Sequence, residues 1–112
     1  MAVHEIEKNI KIIDEMTMYL FNKGFHKLGF ELDYTSKKTV ITITVKNTEK
    51  ELVEVIKNEI FIERDQELED YGWELLGECS GSREIMCVGM LVDDMQLIYK
   101  DSNTIVTFIR NH

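Results

Sequence analysis

The chain has 112 residues, 44% of them apolar and 30% charged, with a formal net charge of −8 and no proline. That composition describes one globular α+β domain spanning residues 1–112, large enough to bury its own core and too short for a second domain. It excludes a disordered chain and a PxxP ligand segment.

The negative charge bears on partners. Nucleic-acid affinity rests on Lys and Arg releasing counterions, and here the basic residues are scattered, with Lys37-Lys38 their single adjacent pair. Conventional nucleic-acid binding and anionic-membrane binding are not expected, although an acidic surface can imitate a nucleic acid. Two cysteines do not make a disulfide scaffold. The first residues lack the basic and apolar regions of a secretion signal, and no apolar run approaches the ~20 residues of a membrane helix. A cytoplasmic protein is expected.

In chain order, residues 3 to about 23 read as a helix, because Ile6, Ile10, Ile13, Thr17 and Leu20 recur at helical spacing. A second stripe, Ile12, Met16 and Tyr19, lies beside the first. The apolar face is thus wider than one buried stripe needs, and the second stripe is the candidate interface. Gly24 is placed to cap the helix. Residues 28–35 alternate: Leu28, Phe30, Leu32 and Tyr34 share one face, with Glu31, Asp33 and Thr35 on the other. Residues 39–46 are β-branched, with Ile41, Ile43 and Val45 on one face, and complete a hairpin through a turn that lacks an Asn-Gly signature.

Thr48 and Glu51 have capping-box spacing, and Leu52, Val53, Val55 and Ile56 carry a helix to about residue 60. The acidic stretch at 63–70 follows. Leu68, Tyr71, Leu75 and Leu76 suggest another helix there, while Gly72 opposes it and Trp73-Glu74-Leu75-Leu76 also fits a short strand. Residues 77–83 have loop composition, and Ser82 stands where it would cap a helix over 83–92, a run that equally fits a buried strand. Residues 95–100 and 104–110 flank Asp101-Ser102-Asn103 as a second hairpin. The order predicts an antiparallel sheet of about four strands built from two β-hairpins, with helices packed on one face.

The chemistry-bearing patterns are sparse. Gly77-Glu78-Cys79-Ser80-Gly81 matches the spacing of a nucleophile elbow with cysteine as nucleophile. No base is assigned to it, since His4, His26 and His112 are remote in sequence. Cys79, Ser80, Ser82 and Arg83 also form a candidate anion or small-ligand loop, though P-loop spacing is absent. Cys79 and Cys87 lack C-x-x-C spacing, so neither a metal nor any other cofactor is expected. Glu59, Glu63, Glu67 and Asp70 form an acidic row suited to a basic partner, or simply a solvated face. Met86, Met90 and Met95, with Trp73 and Tyr71, fit either a core or an adaptable surface.

With no complete catalytic constellation, the expected function is a non-enzymatic interaction or regulatory module whose partner is a second copy or another protein. The alternatives are an acidic inhibitor that sequesters a basic partner, and a ligand binder or enzyme using residues 77–83.

Overall fold

The computed structural model describes residues 3–62, 64 and 84–112. The elements run α1 (Val3–Asn22), β1 (Leu28–Tyr34), β2 (Lys38–Val45), α2 (Glu51–Glu59), α3 (Glu84–Leu91), β3 (Asp94–Lys100) and β4 (Asn103–Asn111). The strands form one antiparallel sheet in the order β1-β2-β4-β3, so the two hairpins join through their inner strands, β2 and β4. This is the expected α+β architecture. Residues 84–91 are helical, which settles that run against the strand alternative.

The sheet has a sharp division between its faces. Ile41, Ile43 and Val45 on β2 and Val106 and Phe108 on β4 are buried, with Met95, Leu97 and Leu28 packed at their sides. Against them lie Ile12, Met16 and Leu20 of α1, Leu52 and Ile56 of α2, and Val88 and Leu91 of α3. All three described helices therefore cover the same face. The opposite parity of each strand points away from them. Among the described residues no helix is long and apolar enough to cross a membrane.

Local chemistry explains the junctions. Gly24, at φ +95°, ends α1 in a Schellman motif: Phe25 N–H donates to the Leu20 carbonyl and Gly24 N–H to that of Phe21. The first hairpin needs no Asn-Gly because the Thr35 hydroxyl accepts the N–H groups of both Lys37 and Lys38. The second turns through Asp101 and Ser102, both with positive φ, the backbone of a type I′ turn.

One junction differs from expectation. Thr48 does not cap α2: the residue before that helix is Lys50, which makes no side-chain capping bond. The Thr48 hydroxyl instead bonds that of Thr104 at 2.7 Å, in a buried pair that closes one end of the sheet. A tertiary hydroxyl partner has displaced the local one.

Candidate interaction surfaces

The face of the sheet that no described helix covers, here called the uncovered face, is ordered by register. Gly29, Thr44, Ile105 and Ile98 form one row across the four strands, Glu31, Thr42, Thr107 and Gln96 the next, and Asp33, Val40, Ile109 and Asp94 the third. Beyond the first row the ladder continues, since Lys46 N–H donates to the Lys27 carbonyl. That extension sets Lys27, Lys46 and Lys100 at one end of the face. These lysines are exposed, as are Glu31, Asp33 and Asp94 towards the other end. The face thus has a basic end, a centre in which β-branched residues surround Glu31, and a row with two aspartates, beyond which Lys38 of β2 projects on the same side. Ile98 leaves 53% of its surface exposed there.

The second surface lies along the edge strand β1. Its Phe30 and Leu32 point to the helix side, yet remain 42% and 43% exposed. Alongside, Ile6 and Ile10 of α1 are 49% and 58% exposed. Ile6, Asn9, Ile10, Leu32 and Tyr34 line a cleft of about 230 Å³ between helix and strand. The two stripes of α1 have therefore separated. Ile12 and Met16, assigned above to an interface, are fully buried against the chain's own sheet, and Tyr19 packs beside them. The helix sits over the sheet with its Ile12–Met16 side down, so that assignment is corrected: what is left to solvent is the first turns of the other stripe, Ile6 and Ile10, while Ile13 and Leu20 further along it pack on the core.

A polar network closes the cleft's inner end. Arg110, 1% exposed, donates to both carboxylate oxygens of Glu5, from Nε at 3.0 Å and Nη2 at 2.6 Å, and from Nη1 to the Leu91 carbonyl at 2.8 Å. The Arg110 guanidinium, ahead of the opposing effect of burial, holds the Glu5 carboxyl below the ordinary carboxylate range. His112 Nε2 lies 2.7 Å from the Thr39 hydroxyl, which also accepts from Asn9 Nδ2 at 3.3 Å. The His112 ring packs on Tyr34 with centroids 4.8 Å apart. Asn9 Oδ1 is buried without a hydrogen-bond partner.

A wider hollow of about 530 Å³ lies at the start of α2, lined by Lys23, Phe25, Asn47, Thr48 and Leu52 among others. Lys23 is committed nearby: its Nζ pairs with Glu59 at 2.8 Å and stands 4.9 Å above the Tyr19 ring. Lys23 holds the Glu59 carboxyl down, while burial pushes the Tyr19 phenol well up.

Of the acidic row, Glu59 is therefore paired within the chain, and Glu63, Glu67 and Asp70 lie outside the described residues. So do Tyr71, Trp73, Cys79, Ser80, Ser82 and Arg83, and with them the candidate anion loop. Among the described residues no cluster of His, Cys, Asp and Glu is arranged to hold a metal ion. Two surface features escaped the sequence reading. Alternation placed Glu31 and Asp33 on the wet face, but the charge polarity of that face depends on which residues the register sets side by side. The α1–β1 cleft depends on which stripe the sheet covers.

Neither family models, nor curated proteins, nor solved structures yield a match to this chain.

Proposed function

We infer that this chain is a non-enzymatic protein-interaction module that works as a homodimer, joined through the uncovered face of its sheet. The observation that carries this reading is the polarity of that face. Lys27, Lys46 and Lys100 stand at one end; the row of Asp33, Val40, Ile109 and Asp94 lies towards the other, bordered by Lys38, and Ile98, Ile105, Glu31 and three threonines stand between. Two copies can stack face to face about two possible in-plane axes. An axis along the strands sets lysines on lysines. An axis across the strands reverses one copy end for end, so the lysine row of each meets the aspartate row of the other. Charge thus favours the second arrangement. Aligned sheets pack in this manner about 10 Å apart, with β-branched residues interdigitating.

Size sets the strength. Four strands of seven residues offer a flat area of roughly 19 × 23 Å, or about 440 Å². That is near half the ~800 Å² per partner of a standard stable interface. The expected dimer is reversible and concentration-dependent, and the overall charge of −8 on each copy opposes it.

Sedimentation velocity over a dilution series tests the reading. The native chain should shift from monomer to dimer with rising concentration. Ile98→Lys, at a half-exposed site where the fold tolerates a polar side chain, should remain monomeric with an unchanged circular dichroism spectrum. A native chain that stays monomeric at hundreds of micromolar, or an Ile98→Lys chain that dimerises equally, would overturn it.

A further inference from the structure

We propose that the free edge of β1 and the α1–β1 cleft together receive an extended segment of another protein, one that alternates apolar and basic residues. β1 is outermost in the sheet. One side of its backbone pairs with β2, leaving the other side's amides and carbonyls without a strand partner among the described residues. The strand is seven residues long, Leu28–Tyr34, without proline. Exposed edges are normally blunted by proline, lysine, bulges or a covering element. Here the lysines lie beyond the strand ends, and the neighbouring helix turns apolar residues towards the edge rather than covering it.

The chemistry of the two sides of β1 defines the partner. On the helix side Phe30 and Leu32 stand exposed, and Leu32 and Tyr34 share with Ile6 and Ile10 a cleft with room for one apolar side chain. On the other side Glu31 and Asp33 are exposed. An added strand points alternate side chains to the two faces. Its even positions would enter the apolar cleft, and its odd positions would lie beside Glu31 and Asp33. Main-chain bonds supply affinity in such strand addition, and the alternating pockets supply specificity. A second copy of this chain fits the edge poorly, because pairing about the middle of β1 sets Glu31 against or diagonal to its own counterpart. The other edge strand, β3, borders a different hollow, of about 430 Å³, in which Tyr99 and Val53 stand among the charged Lys50, Glu51 and Glu54; its Met95 and Leu97 pack on the core.

The test uses a fluorescein-labelled peptide, acetyl-Lys-Val-Lys-Phe-Lys-Val-Lys-amide, titrated with the full chain and read by anisotropy. Two controls keep parts of its chemistry. One gathers the lysines into a block, keeping charge but losing alternation. The other N-methylates alternate amides, keeping alternation but losing main-chain donors. The alternating peptide should bind saturably, and each control should bind at least tenfold more weakly. Ile10→Glu should weaken binding tenfold or more, and the pair Glu31→Lys with Asp33→Lys should prefer the glutamate version of the peptide. Equal binding of the block peptide, or indifference to Ile10→Glu, would overturn the proposal, as would cross-links showing β1 already paired with β1 of a second copy. Repeating the titration in the Ile98→Lys chain separates this edge from the sheet face: peptide binding should persist there whether or not the native chain dimerises.

Discussion

Arg110 of β4 grips Glu5 of α1 through paired hydrogen bonds, joining residues 105 positions apart in the sequence. The guanidinium has 1% of its surface exposed, and its remaining arm holds the carbonyl that ends α3. One side chain thus ties the first helix, the third helix and the last strand. Arg110 is also the polar end of a strand face whose other members, Thr104, Val106 and Phe108, are buried.

Breaking a buried pair by removing one partner leaves the other uncompensated, at about 3–5 kcal/mol in a fully buried setting. Glu5 keeps partial access to water, so the lower end applies. Arg110→Ala should lower stability by about 3 kcal/mol in urea unfolding. Glu5→Gln should cost less, because arginine keeps an uncharged acceptor.

The same pair sets a pH dependence. Arg110 lowers the Glu5 pKa on folding, so its contribution is complete above the ordinary carboxylate pKa. It is lost as pH falls through the lowered, folded value. The stability difference between the native chain and Glu5→Gln should therefore be largest near neutrality and shrink in acid. A difference that stays constant from neutral pH to below the carboxylate range would show that the pair has no such role.

Two glycines resist substitution for opposite reasons. At Gly89 of α3 a methyl group would overlap the Phe61 carbonyl oxygen, a backbone atom that cannot rotate away. Gly89→Ala should cost about 1–3 kcal/mol, like other overpacked sites. At Gly24 nothing lies within 4 Å, but φ is +95°. Gly24→Ala should cost about 1 kcal/mol from backbone strain alone. Thermal unfolding of both variants measures these costs directly.

The second hairpin leaves room for improvement. Ser102 has φ 62° in a type I′ turn, where glycine is unstrained. Ser102→Gly should raise stability by roughly 0.5 kcal/mol, the relief of strain being partly offset by the greater freedom of the unfolded chain.

Charge reversal gives the sheet-face dimer its most selective test. A chain with Lys27→Glu and Lys100→Glu is acidic at both ends of the face. A chain with Asp33→Lys and Asp94→Lys is basic at both. Neither should dimerise with itself, whereas their mixture should form a one-to-one heterodimer by native mass spectrometry. Homodimers of either chain, or no complex on mixing, contradict the end-for-end stacking.

The strands were legible because period-two alternation is local. Phe30, Leu32, Ile41, Ile43 and Val45 announce their faces from neighbours alone, and the observed register respects every one of them. Helix α1 was legible in extent but not in orientation. Both of its stripes are apolar, and helical spacing does not say which one meets the sheet. Thr48 was misread for a related reason: a capping box is a local pattern, and its hydroxyl found Thr104, 56 residues away.

The amino-acid sequence by itself determined the types of α1, α2 and the four strands, the two hairpins, the α+β class and the acidity, because each follows from spacing within a few residues or from simple composition; it left α3 open between helix and strand. Tertiary structure alone decided that Ile12 and Met16 are core while Ile6 and Ile10 remain at the surface, since burial depends on which neighbour arrives. It also decided the polarity of the uncovered face. Lys27, Lys46 and Lys100 are distant in the chain, and they share an end only because β2 pairs with β4 and brings two separate hairpins into one sheet.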